Sequence, residues 1–268
     1  MTSQDMPVWH HRNFAGRLTL YGFWFITVAL FVWCWNLMTE RTIWAFVYDA
    51  PTAANDLLGR AWPPRWSYME QLWWPLWDTI NMATLGTLLG IVMAVPLAFL
   101  AASNTTPSKF ILRPFALFCI VASRSINSLI WALLLVSILG PGLLAGILAI
   151  AFRSVGFIGK LLYEAIEETD EDQIEAVTAT GASKAQVLNY AIVPQIMPTF
   201  YGISVFRWDI NIRESAILGL VGAGGLGTQL QASLNVLAWP QVTLIILVVL
   251  ATVVVSEWVS ARVRHAII

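Results

Sequence analysis

The sequence predicts an all-α protein that crosses a membrane several times. Hydrophobic residues make up 58% of the 268 and charged residues only 12%, whereas a soluble domain is about 25% charged. Apolar stretches of span length also recur along the chain, and a helix needs about 20 apolar residues to cross the hydrocarbon core. The formal net charge of −1 excludes a nucleic-acid surface, which needs a strong basic excess. Cys34 and Cys119 lie in apolar runs and read as buried thiols, with no disulfide or metal framework. His10, His11 and His265 sit near the chain ends and read as solvated tails.

Residues 1–17 form a polar tail holding Arg12 and Arg17, and residues 18–38 form the first span. This stretch is too long for a signal-peptide core and is read as a retained anchor. Further spans are predicted at 79–102, 115–139, 143–164, 188–208 and 239–259, giving six helices, and a second polar tail covers 260–268. Lys and Arg favour cytoplasmic segments. Arg12, Arg17, Lys109, Arg113, Lys160, Lys184, Arg262 and Arg264 fall on one side, against Arg41, Arg60, Arg65 and Arg213 on the other. Both termini are therefore expected in the cytoplasm. The segment 39–78, on the periplasmic side, carries Trp44, Trp62, Trp66, Trp73, Trp74 and Trp77. Indoles favour the headgroup layer, so residues 67–78 are expected to lie along the outer surface before the second span; no charge arrangement supports an aromatic substrate cage.

Between the fourth and fifth spans, at about 165–187, runs an acidic segment with consistent local signals. Thr169 can cap a helix whose first turn holds Asp170, Glu171 and Asp172. Gly181 suits a left-handed terminator, Ser183 with Gln186 suits a capping box, and Pro194 and Pro198 bend or interrupt the re-entering chain. Ile174 and Val177 share one face. Periodicity alone leaves a solvated loop equally open.

Glu175-Ala176-Val177, three residues, Gly181, and Pro194 thirteen residues beyond resemble the cytoplasmic Glu-Ala-Ala signature of ABC-transporter permeases. Val177 departs from the usual second alanine, and Ala191 and Val193 are smaller than usual. The resemblance covers about residues 76–259. It implies the type I ABC importer permease fold, a five-helix core at 79–259, and a coupling helix that docks on an ATP-hydrolysing subunit. The chain itself offers no phosphate loop. Gly222-Ala-Gly-Gly-Leu-Gly227 matches G-x-G-x-x-G in form, but it follows a membrane helix and lacks the later ribose-binding acid. No cofactor is expected in this chain.

Charges inside spans are costly and therefore informative. Arg124, Arg153 and Arg207 fall in predicted spans, with Asp209 the obvious counter-charge. Arg124 and Asn127 are expected on one helix face, Asp209 and Arg213 as an i,i+4 pair, and Arg207 and Asn211 on the adjacent stripe. These residues either line a solute pathway or snorkel to an interface. The run Gly222, Gly224, Gly225 and Gly227 suits either an anion-binding concavity of backbone N–H groups or a flexible outer hinge.

Arg207-x-Asp-Ile-Asn-Ile-Arg213 followed by Leu218-Gly-Leu-Val-Gly-Ala-Gly-Gly-Leu-Gly227, with Gly159-Lys160 and Glu164-Ala-Ile-Glu-Glu168, is similar to the signature of permeases for phosphonates and related reduced phosphorus oxyanions. This implies a homodimer in the bacterial inner membrane, two ATP-binding subunits carrying ATP and Mg, and a periplasmic binding protein. Where that family has an acid after the third-span arginine, this chain has Asn127-Ser128, which makes the pathway more positive and brings phosphite or hypophosphite into range. The alternatives are a permease of the same fold for an amino acid or other organic anion, a partner-free channel, and an intramembrane enzyme. The last lacks a nucleophile–base pair or paired aspartates within the predicted spans.

Overall fold

The computed structural model describes residues 14–267, so most of the predicted N-terminal tail, with His10, His11 and Arg12, lies outside the described residues. The described chain is helical: α1 (Phe14–Thr39), α2 (Trp44–Ala61), α3 (Met69–Ala101), α4 (Leu112–Ser125), α5 (Ser128–Leu139), α6 (Leu143–Glu167), α7 (Glu171–Ala179), α8 (Lys184–Val187), α9 (Val193–Leu218), α10 (Leu226–Asn235) and α11 (Trp239–Ile267). It divides into two units, with the boundary after Asp56.

In the first unit, α1 is apolar all round and its side chains are exposed all round, Phe25 to 75% and Phe31 to 66%. A helix that is hydrophobic on every face and uncovered by protein belongs in lipid. Cys34 is accordingly exposed rather than buried, and both cysteines are free.

The second unit is built on the crossing of α3 and α6. Small residues let the two backbones approach, as in other membrane bundles. A Cβ on Gly90 would lie 2.6 Å from Ser154 Cβ, so only glycine fits there. Met82, Ala132, Ala149, Ile150, Leu218 and Ala223 join α3, α5, α6 and α9 into one buried cluster. Leu72, Leu226, Leu244, Ile245 and Val248 join α3, α10 and α11 into another.

The span count differs from the expected six. Among the described residues four helices, α1, α3, α6 and α11, are long and apolar enough to cross a membrane, or five when α4 and α5 are taken as one span bent by 91°. The predicted third span is thus broken: Ile126 is extended (φ −99, ψ 131) between the two helices. The predicted fifth span begins instead as a π turn (Leu188–Ile192) and continues as α9 to Leu218. It has span length, but Arg207, Asp209, Arg213 and Glu214 make it too polar to qualify on composition. Pro194 stands in its first turn and the helix runs unbroken through Pro198, so neither proline interrupts it. Residues 69–78 belong to the same continuous helix as the second span, and α2 was not foreseen.

Gly90→Ala is expected to lower the thermal midpoint of the detergent-solubilised protein, an overpacking cost of about 1–3 kcal/mol. Gly202→Ala, with no atom within 4 Å of its Cβ position, should leave the midpoint unchanged.

Candidate functional site

A row of polar side chains along α9 reaches three other helices. Arg207 is buried; its Nε donates to Ser154 Oγ of α6 at 3.0 Å, and its two terminal nitrogens donate to both carboxylate oxygens of Glu214 at 3.4 Å. The Phe157 ring lies 5.3 Å from the guanidinium. The main counter-charge is therefore Glu214, two helical turns along, and not Asp209. Asn211, fully buried, donates to Thr87 Oγ1 of α3 at 2.7 Å and to Ser154 Oγ at 3.0 Å. Asp209 accepts from Arg213 at 2.7 Å, the i,i+4 pair expected, and from Ser256 of α11, also at 2.7 Å. Arg213 is half-exposed.

The break between α4 and α5 separates two residues expected on one face. Arg124 ends α4 and is exposed, while Asn127 caps α5, its Oδ1 accepting from Leu129 N–H at 3.0 Å. Arg153 of α6 donates to the Arg124 carbonyl. The Ser123 hydroxyl donates to the Phe152 carbonyl and accepts from Gly156 N–H, so α6 holds the end of α4 at two points. Neither Arg124 nor Arg153 forms an ion pair among the described residues. A cavity of about 450 Å³ opens between the start of α5 (Asn127, Ser128, Leu129, Ile130) and Glu214, Ile217 and Leu218 of α9, at the positive end of the α5 dipole.

The glycine run is a packed turn. Gly222, Gly224 and Gly225 have φ of 89, 93 and 71, and a Cβ on Gly227 would meet the Ala216 carbonyl at 2.2 Å. Three of its N–H groups are taken: Gly222 donates to Gly219 O, Ala223 to Leu218 O and Leu226 to Thr79 Oγ1 of α3. At these positions no donor is left over for an anion.

The acidic segment is a helix–turn–helix. The cap of α7 is Asp170, whose Oδ1 accepts from Asp172 N–H at 3.0 Å; Thr169 instead donates back to the Ile166 carbonyl. Gly181 (φ 82) makes the turn, and Ser183 with Gln186 forms the capping box of α8. Ile174 packs on a cluster of Ala98, Ala102, Leu162, Ile166, Ile192 and Ile196 from α3, its C-terminal turn, α6, the π turn and α9. Around this seat, Glu167 accepts from Arg113 at 3.1 Å and from Ser103 N–H at 2.7 Å, and Asp170 N–H donates to Gln195 Oε1 at 2.9 Å. Glu175 and Ala176 remain exposed, Val177 is half-buried, and Pro194 is exposed at the start of α9.

Residues 60–267 match the family model for the binding-protein-dependent transport system inner membrane component. The chain belongs to this family. It is therefore a multi-pass membrane permease, a translocation subunit and not an enzyme. The permease is 38% identical over 240 residues to the phosphite transport system permease protein PtxC of Stutzerimonas stutzeri, covering 90% of this chain and 86% of the relative. It is 39% identical to the phosphate-import permease protein PhnE of Mycolicibacterium smegmatis (strain ATCC 700084 / mc(2)155), covering 86% of this chain and 44% of that protein. Its fold matches the inward-facing MetNI methionine ABC transporter with a TM-score of 0.66 at 21% identity, covering 76% of this chain and 99% of that one.

The structure thus brings Arg207 and Asn211 together through Ser154 and Asp209 and Arg213 into a second cluster with Ser256, and it hydrogen-bonds neither Arg124 nor Asn127 to either. Sequence reasoning missed Glu214, Thr87, Ser154 and Ser256. The seven-residue spacing from Arg207 put Glu214 within reach of detection, since it returns to the same helix face. The three hydroxyl residues sit in distant segments and carry no local signal.

Glu214→Gln leaves the buried Arg207 without its carboxylate, and breaking a buried pair costs about 3–5 kcal/mol. A marked drop in thermal midpoint in detergent is expected, recovered in part by adding Arg207→Met. A double variant no more stable than the single one would contradict this role.

Proposed function

We propose that this permease is the membrane-spanning subunit of an ATP-driven importer for phosphonate or a related reduced phosphorus oxyanion such as phosphite or hypophosphite. In this reading it works as a homodimer in the bacterial inner membrane with both termini cytoplasmic. Two partner subunits bind ATP and Mg, and a periplasmic binding protein delivers the anion. Closure of the ATPase pair pushes the α7–α8 hairpin, and the helices seated on it swing to expose the pathway on alternate sides.

The observation that carries this reading is the hairpin itself. Its Ile174 side is seated on the ends of several long helices, while Glu175 and Ala176 are uncovered. A force applied to the free side is therefore delivered to the whole core. For the substrate, the similarity to a phosphite permease runs over most of both chains, whereas the likeness to a methionine transporter is one of fold. The unpaired Arg124 and Arg153 supply positive charge suited to an oxyanion, and they favour this substrate class over a zwitterionic amino acid.

Proline fixes φ near −65° and cannot adopt the φ of 82 at Gly181. Gly181→Pro in the assembled transporter should therefore abolish uptake and partner-stimulated ATP hydrolysis while membrane insertion persists; unchanged transport would reject the coupling role. Arg124→Gln is expected to reduce labelled phosphite uptake about tenfold, a loss of ~1.4 kcal/mol, with the hairpin intact. Competition by methylphosphonate and hypophosphite but not by methionine supports the substrate class, and inhibition by methionine alone overturns it.

A further inference from the structure

We infer that α2 is an interfacial helix whose partner is the lipid bilayer, its apolar half lying in the boundary between headgroups and acyl chains. Every residue from Trp44 to Arg60 is exposed, so among the described residues nothing covers either face. Projected at about 100° per residue, Phe46, Val47, Ala50, Ala54, Leu57 and Leu58 fall on one half of the helix. Asp49, Thr52, Asp56 and Arg60 gather on the other. The apolar half is uncovered, with Phe46 exposed to 72% and Leu58 to 65%.

Connectivity decides what covers it. Four residues (40–43) separate the end of α1 from the start of α2, and four (62–65) separate the end of α2 from the next apolar span at Trp66. Two consecutive spans emerge at the same bilayer face where they are joined. A helix of 18 residues, about 27 Å long, is therefore held by short tethers at that face. Asp49, Asp56 and Arg60 make it too polar to cross. Lying flat satisfies both halves: charged groups to water, apolar groups into the interface. Trp44 at its start and Trp62 just beyond its end are both exposed, and indoles anchor in this layer. The polar half holds two acids and one base, so anionic lipid is not needed and zwitterionic lipid suffices.

The test is site-directed spin labelling of the full-length chain carrying Cys34→Ser and Cys119→Ser, in phosphatidylcholine nanodiscs. Single cysteines are placed at Val47, Ala54 and Leu58, and at Asp49 and Asp56. Molecular oxygen concentrates in lipid and a nickel chelate in water. The expected result is oxygen-dominated relaxation at 47, 54 and 58 and nickel-dominated relaxation at 49 and 56, following the helical period. Equal nickel access at all five positions would show a water-surrounded helix and overturn the inference. Loss of both reagents at the apolar positions would show protein cover and overturn it equally.

Discussion

The charged row on α9 has to be neutralised inside the protein, because lipid offers no partner to a polar group and each unsatisfied one costs several kcal/mol. That requirement organises the core. Arg207 is paired with Glu214 along its own helix, and its Nε donates to Ser154. Ser154 is also a partner of Asn211, which reaches Thr87, so one hydroxyl on α6 fixes the meeting point of α3, α6 and α9. Asp209 extends the same logic to α11 through Ser256. Four helices are thus tied by two polar clusters in which α9 is the common member.

Apolar packing alone would specify this junction loosely, since association of helices in lipid gains little from hydrophobicity. The small residues at the α3–α6 crossing bring the helices close enough for short hydroxyl contacts, and the polar contacts then fix the register. Further along, the same helices converge on the cluster that seats Ile174. The π turn at Leu188–Ile192 joins α8 to α9 without a loop. A displacement of the hairpin is therefore passed to α9 through continuous helical backbone, and to α3 and α6 through the seat beneath Ile174.

Much of this was legible in the sequence where the signal is local. The turn at Gly181 and the capping box at Ser183 follow from backbone preference alone, and the Asp209–Arg213 pair follows from helix spacing. Reading failed where two segments compete or where partners are distant. Thr169 and Asp170 are both good caps, and the choice between them is made by tertiary contacts: Asn104 lies against Thr169 and Ile166, while Gln195 takes the Asp170 N–H. The break at Ile126 has no proline or glycine to announce it. It is held from α6 by Ser123 and Arg153 contacts about 30 residues away in sequence. The helix at 44–61 gave no such signal, because the six tryptophans of the segment 39–78 suggest an interface without suggesting regular structure, and only Trp44 lies within the helix.

Pairing along α9 decides where positive charge is left over. The sequence marks Arg124, Arg153 and Arg207 as charges within predicted spans, and Arg213 as the i,i+4 partner of Asp209. Arg207 and Arg213 are each paired with a carboxylate, so α9 contributes little net charge despite being its most polar stretch. Arg124 and Arg153 have no carboxylate partner among the described residues, and Asn127, beside Arg124, caps α5 as a neutral residue. Arg153 gives one donor to the Arg124 carbonyl, which neutralises the end of α4 but not the guanidinium. The positive potential therefore centres on the broken helix pair and on α6. The paired residues of α9 keep the helices in register, and the two arginines beside the break retain a net positive charge.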